Sequence, residues 1–208
     1  ETARLLARPD AKSCGIFGAG ALADVHIEAM CCVRSVEECL IWARRPEQAS
    51  ALAEKHSERA GVRVRATNDP SEASACDIIC TTTASPEPVL QGQWVKPGAH
   101  VNLVGAHNKT ARESDTELIV KSEIYVDLLE STLNEGGDIM IPVQEGAIGE
   151  DHIIGEIGQL LQGDIPGRKD AEQITAYNSL GITSQDLYAA QYVLDKSRSM
   201  GLGVTVNF

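Results

Sequence analysis

The sequence predicts a doubly wound α/β fold, a parallel sheet with helices on both faces. Three observations carry that prediction. Strand-length apolar runs alternate with helix-like segments along almost the whole chain, as they do when parallel strands are joined by helical crossovers. A glycine-rich turn, Gly18-Ala19-Gly20, directly follows the first run and opens the first long helix. The chain has 208 residues, 43% hydrophobic and 23% charged, enough to bury one large core with at most a small appendage.

The elements follow in order. Ser13 to Phe17 is a short apolar run ending in glycine, the pattern of a buried strand. Ala21 to Val33 is helix-like, and Glu38 to Ala43 is a second buried strand. Pro46 to Ala60 reads as a helix, with proline near its start and Gly61 after its end. Val62, Val64 and Ala66 alternate with arginines, as in a half-buried strand. Asp69-Pro70-Ser71-Glu72 is a short helix start, and Asp77 to Thr82 is a strand. After the Lys96-Pro97-Gly98 turn, His100 to Gly105 is the next strand. Thr116 to Lys121 reads as a short helix and Ile124 to Leu128 as a strand. Glu130 to Glu150 is glycine-rich and reads as irregular, whereas Ile153 to Leu161 reads as a helix stopped by Gly163. Ile174 to Tyr177 is a short strand. Ser184 to Met200 is a long amphipathic helix offering Leu187, Ala190, Tyr192, Val193 and Leu194 for burial.

Chemistry concentrates at the first turn. Gly18-Ala19-Gly20-Ala21-Leu22-Ala23 fits G-x-G-x-x-A in the required strand–turn–helix setting, which marks a Rossmann-type dinucleotide site. The first glycine allows the tight turn, the second lets the backbone approach a pyrophosphate, and Ala23 permits close helix–strand packing. The helix N-terminus then faces the anion. About 20 residues further on, NAD sites place an acid for the ribose hydroxyls. Here the chain reads Ala43-Arg44-Arg45, and two guanidiniums suit a 2′-phosphate, so NADP(H) is expected over NAD(H). Thr81-Thr82-Thr83 ends one strand and Val104-Gly105-Ala106-His107 another, at the sheet edge that lines a cofactor crevice. His107 is a candidate proton donor.

Other features exclude functions or read as structural. The net charge of −12 opposes binding to nucleic-acid backbones. No run approaches the ~18 apolar residues of a membrane span, and a cytoplasmic protein is expected. The six cysteines, at 14, 31, 32, 39, 76 and 80, have no C-x-x-C pair or matching histidines, so buried thiols and no metal are expected. His26, His56, His100 and His152 lack partners at ligand spacing. Asp127 and Asp138 read as carboxylates capping backbone N–H groups, and Gly167-Arg168-Lys169 as a solvated basic turn.

Several blocks together resemble the ornithine cyclodeaminase/mu-crystallin family: GAGALA at 18–23, IWARR at 41–45, TTTASPEPVL at 81–90 and WVKPGAHVNLVGA at 94–106. YVD at 125–127, EGGD at 135–138, GEIGQLLQG at 155–163 and TAYNSLGI at 175–182 extend the likeness over essentially the whole chain, with mu-crystallin-like ketimine reductases as the nearest subgroup. The resemblance implies an NAD(P)-dependent homodimer acting on cyclic imino acids such as pyrroline- or piperideine-2-carboxylate. Its alternatives are cyclodeaminase, alanine dehydrogenase, or a non-catalytic protein holding a thyroid-hormone-like ligand. It further implies Gly18, Ala19, Gly20, Ala21 and Leu22 at the pyrophosphate, Arg44 and Arg45 at the adenosine phosphate, and Thr81, Thr82 and Thr83 along the cofactor. Val104 and Ser179 would flank the nicotinamide, and His107 and Glu135 would approach the substrate. Cyclodeaminase and alanine-dehydrogenase members carry an acid where His107 stands, which favours a reductase. The family's long N-terminal segment has no counterpart before Glu1. Residues 1–12 are therefore expected to lead in from a substrate domain, 13–182 to form the Rossmann domain, and 183–208 to return to the substrate domain.

Overall fold

The computed structural model describes residues 1–58, 61–204 and 206. Its strands form an eight-stranded sheet in the order β3-β2-β1-β4-β5-β8-β6-β7, every neighbouring pair parallel. The strands are β1 (Ser13–Phe17), β2 (Glu38–Trp42), β3 (Arg63–Ala66), β4 (Ile78–Thr81), β5 (His100–Leu103), β6 (Ser122–Val126), β7 (Ile153–Glu156) and β8 (Ile174–Asn178). The helices are α1 (Thr2–Leu6), α2 (Ala21–Val33), α3 (Pro46–Lys55), α4 (Pro70–Ser74), α5 (Thr116–Val120), α6 (Leu129–Glu135), α7 (Gly137–Gln144), α8 (Ile157–Gln162) and α9 (Thr183–Met200).

Side-chain alternation along each strand separates two cores. Cys14, Ile16, Cys39, Ile41, Ile78 and Cys80 face one side and pack with Ile27 and Met30 of α2 and Leu52 of α3. Phe17, Leu40, Ile79, Val101 and Leu103 face the other and pack with Ala73 of α4, Leu118 and Ile119 of α5 and Ile139 of α7. Both faces are therefore covered, as the alternating apolar pattern predicts, and the doubly wound α/β fold class is borne out. Local signals also act as read: Pro70 starts α4, with Asp69 accepting from the Ser71 N–H at 2.9 Å.

Five expectations are corrected. The 130–150 stretch is not irregular: α6 and α7 occupy most of it, meeting at Gly136, whose backbone (φ −78, ψ 81) turns the chain between them. Glycines at the junction and Pro142 inside α7 hide the helical period. Ile153–Leu161 is not one helix. Its first four residues pair with β6 as edge strand β7, and α8 begins only at Ile157, behind a capping box of Glu156 and Gln159. The helix read to Ala60 ends at Lys55, and Ala60 itself lies outside the described residues. On α9, Leu187, Tyr192, Val193 and Leu194 are exposed rather than buried, because no other described element covers that helix. Arg168 is not a solvated turn residue: it donates to the carbonyls of Leu6 (2.6 Å) and Ala99 (3.0 Å) and to Thr175 Oγ1 (3.0 Å).

The cysteines divide. Cys14, Cys39, Cys76 and Cys80 are buried, as expected, and burial pushes the Cys76 thiol up to about 12. Cys31 is only partly buried, at the margin of the core under α2, and Cys32 is exposed. His100 is fully buried between Thr175 and Asn102, and burial, followed by the Arg168 charge, lowers its pKa to about 3.

Candidate active site

β1 has β2 on one side and β4 on the other, so chain order reverses there and the carboxyl ends of β1 and β4 open a crevice. Gly18 lies at that point with φ +115, and its N–H donates to the Trp42 carbonyl at 2.8 Å. A Cβ on Gly18 would fall 2.8 Å from Thr82 Oγ1 and 3.0 Å from the Thr82 carbonyl oxygen, so both the backbone angle and the space demand glycine. Gly20 is the extended N-cap of α2, without a side-chain cap, and nothing lies within 4 Å of where its Cβ would be. The thirteen-residue helix α2 thus presents free first-turn N–H groups to open space. Asp24, the acid in that first turn, is bound by Lys55 (2.5 Å) and His56 (2.7 Å), which offsets its charge near the turn.

The crevice is a cavity of about 320 Å³ whose walls include Gly18, Ala19 and Gly20, then Trp42 to Arg45, Thr82 to Ser85 and Val89. Arg44 and Arg45 stand at the rim past the end of β2, and neither side chain has a hydrogen bond or ion pair with the described residues. Ala21 and Leu22 open α2 with exposed side chains, so only their backbone can face an anion.

The three threonines part company. Thr83 and Thr82 line the crevice, the Thr82 hydroxyl donating to the Phe17 carbonyl at 2.9 Å. Thr81 does not: it is fully buried and donates to Glu113 Oε2 at 2.7 Å, because β4 alternation turns it into the interior. Glu113, which sequence reasoning passed over, is buried behind these strand ends. Its only sequence signal is a lone acid between Arg112 and Ser114 that matches no spacing rule.

At the far end of the same edge, the Val104 N–H donates to the Thr81 carbonyl at 3.1 Å and the Ser179 N–H to the Leu103 carbonyl at 2.9 Å. Asp127 caps the loop after Ser179, accepting from the N–H groups of Leu180 (2.7 Å) and Gly181 (2.6 Å), in keeping with the capping role read for it. The side chains of His107 and Glu135 are both exposed and make no hydrogen bond with described residues. The loop that carries His107 lies against the α6–α7 junction: a Cβ on Gly137 would sit 2.0 Å from the Ala111 carbonyl oxygen and 2.4 Å from that of Asn108. His107 and Glu135 therefore flank one corner of the sheet's carboxyl edge. Among the described residues, no three His, Cys, Asp or Glu side chains converge as metal ligands, and no helix is long and apolar enough to cross a membrane.

A parallel doubly wound sheet with a glycine turn at its switch point places the protein in the Rossmann-like α/β class. The chain belongs to the ornithine cyclodeaminase/mu-crystallin family, whose model matches residues 2–201. It is 34% identical over 192 residues to a Delta(1)-pyrroline-2-carboxylate reductase from Paracoccus denitrificans, covering 92% of this chain and 61% of that protein. Its fold superposes with a TM-score of 0.95 on Thermococcus litoralis Delta(1)-pyrroline-2-carboxylate reductase in complex with NADH and L-proline, at 37% identity, covering 99% of this chain and 64% of that one. An archaeal alanine dehydrogenase dimer with bound NAD matches at TM-score 0.91 and 32% identity, covering 100% of this chain and 64% of that one. The chain thus spans between three-fifths and two-thirds of the length of these relatives, at 61% and 64%.

Proposed function

We propose that this chain supplies the cofactor-binding part of an NAD(P)H-dependent reductase that converts cyclic ketimine carboxylates, of the pyrroline- or piperideine-2-carboxylate type, to cyclic amino acids. One observation carries the reading: an open crevice built from the Gly18–Gly20 turn, the uncapped start of α2 and two unpartnered arginines, in a chain whose relatives include pyrroline-2-carboxylate reductases. The residues present fit a dinucleotide. The backbone N–H groups at Gly20, Ala21 and Leu22 receive the pyrophosphate. Arg44 and Arg45 hold a 2′-phosphate through paired, charge-assisted bonds, which makes NADPH the preferred form.

Bound at this edge, the reduced nicotinamide supplies the hydride that the imine carbon takes up. Val104 and Ser179, just past the ends of β5 and β8, would border the nicotinamide. The imine nitrogen needs one proton as it becomes an amine, and His107 or Glu135 would deliver it; their exposure at the sheet's carboxyl edge supports that role. The whole protein works as a homodimer in this reading, which the archaeal alanine dehydrogenase dimer with bound NAD supports.

The test is turnover by the full-length protein. Mixed with piperideine-2-carboxylate or pyrroline-2-carboxylate and NADPH, it should consume the reduced cofactor, read as loss of absorbance near about 340 nm. Binding of a small aromatic ligand with no turnover of any imine would replace this reading with that of a binding protein.

A further inference from the structure

The ends of β4 and β5 are joined by one side chain. Glu113 is fully buried, and both its oxygens are occupied. Oε2 accepts from Thr81 Oγ1 and from the Gly105 N–H, each at 2.7 Å. Oε1 accepts from the Thr83 N–H and the Thr83 hydroxyl, each at 2.6 Å. Thr81 and Thr83 belong to the end of β4, and Gly105 to the end of β5. One carboxyl group therefore clips two neighbouring strand ends at four points, on the edge where Thr83 lines the crevice.

The clip is built to close tolerance. A Cβ on Gly105 would fall 2.0 Å from the Thr83 carbonyl oxygen and 2.6 Å from both Cδ and Oε1 of Glu113, so the strand ends meet only because that residue is glycine. Glu113 is itself held on both sides. Its N–H donates to Asp138 Oδ1 at 3.0 Å, and its carbonyl accepts from the N–H groups of Val89 (2.8 Å) and Leu90 (2.9 Å). Thr83 Oγ1, while donating to Glu113, accepts from the Ser85 N–H at 3.1 Å, which fixes the hydroxyl.

We propose that Glu113 is a positioning residue for hydride transfer: by fixing Thr83 and the Val104–Gly105 peptide relative to each other, it sets how the reactive ring of the cofactor lies against the sheet edge. Glu113 itself touches neither cofactor nor substrate. The inference rests on the reductase reading above. It makes kcat, rather than affinity for the adenine half of the cofactor, the quantity that Glu113 governs, because the clip joins the ends of β4 and β5, whereas Arg44 and Arg45 follow β2 and make no bond to Glu113.

Glu113→Gln in the full-length protein tests it. The amide nitrogen replaces one oxygen only, and in either orientation it faces a backbone N–H, of Thr83 or of Gly105, so the strand ends part. A misplacement on the order of 1 Å lowers kcat by about 100-fold. Binding of 2′,5′-ADP, which probes the arginine end, should stay within about twofold of wild type, and replacing the transferred hydrogen of NADPH by deuterium should slow kcat more in the variant. Thr83→Val, which removes one of four donors, should show the same split at roughly tenfold in kcat, and it serves if the glutamine variant does not fold. An unchanged kcat in a folded variant, or kcat and 2′,5′-ADP affinity falling together with the melting temperature, would overturn the positioning role while leaving the reductase reading intact. A wild-type protein that neither binds 2′,5′-ADP nor turns over an imine would overturn both.

Discussion

Asp138→Asn should gain stability relative to wild type as pH rises, and the surroundings of this carboxyl set the size of the gain. Asp138 is fully buried in the first turn of α7. Its Oδ1 accepts from the N–H groups of Glu113 (3.0 Å) and Ser114 (2.8 Å) and from the Ser114 hydroxyl (2.7 Å). Its Oδ2 has no partner among the described residues. Burial raises the pKa, the Ser114 hydroxyl and N–H bonds oppose the rise, and the Glu113 charge adds to it, taking the group from 3.8 to about 6. The folded chain therefore holds this proton more tightly than the unfolded chain. Stability is lost as pH rises from 3.8 through about 6, and is regained as pH falls through the same window. At about 1.4 kcal/mol for each tenfold, the full difference is about 3 kcal/mol. Roughly 2 kcal/mol of it falls between about pH 4.5 and about pH 7.5. Asparagine keeps an oxygen for the three donors and does not titrate. Urea denaturation of both proteins at those two pH values should show the variant improving on wild type by about 2 kcal/mol from the lower to the higher. A stability difference that is the same at both would refute the reasoning, since Asp138 would then titrate alike in the folded and unfolded chains.

Two further substitutions probe the frame of the site. Gly18→Ala forces a side chain onto φ +115 and places Cβ 2.8 Å from Thr82 Oγ1. It should cost about 1–3 kcal/mol in a thermal melt and weaken dinucleotide binding; a wild-type melting temperature would contradict the strain assigned there. Arg168→Ala removes the donor shared by the carbonyls of Leu6, Ala99 and Gln173 and by Thr175 Oγ1. Denaturant titration should show a loss of about 2–4 kcal/mol, only partly recovered by Arg168→Lys, whose ammonium cannot reach four acceptors in a plane. A variant within about 0.5 kcal/mol of wild type would return Arg168 to the surface role its sequence suggests.

What the sequence made legible was local. The Gly18–Gly20 turn, the strand before it and the helix after it lie between Ser13 and Val33, and each signal acts on its own neighbours. Asp127 and Asp138 do cap backbone N–H groups, as read, but only the Leu128 N–H on Asp127 is a sequence neighbour; the Leu180 N–H on Asp127 and the Ser114 N–H on Asp138 come from 53 and 24 residues away, so the role was legible and the partners were not. Strand β7 was missed because Ile153–Glu156 runs straight into α8 with no turn residue between, and its edge position depends on β6, far back in the chain. Glu113 was invisible because its partners Thr81 and Thr83 lie 32 and 30 residues away, and Gly105 joins it through a backbone N–H that no side-chain pattern announces. Thr81 and Thr83 look equivalent in sequence, yet one is interior and the other lines the crevice. The apolar residues of α9 were read as available for burial and are exposed, because periodicity does not name what covers a helix.

Calorimetric titration of the protein with NADPH and NADH tests the central claim, that the crevice at Gly18–Gly20 takes a dinucleotide and that Arg44 and Arg45 select its phosphate. The account predicts saturable binding of both, with NADPH tighter by roughly 10- to 100-fold, the worth of charge-assisted bonds of about 1.5–3 kcal/mol. In the Arg44→Ala/Arg45→Ala double variant that preference should vanish while NADH affinity stays within about threefold. Absence of binding to either cofactor would contradict the claim outright, and a preference for NADPH that survives loss of both arginines would contradict their assignment.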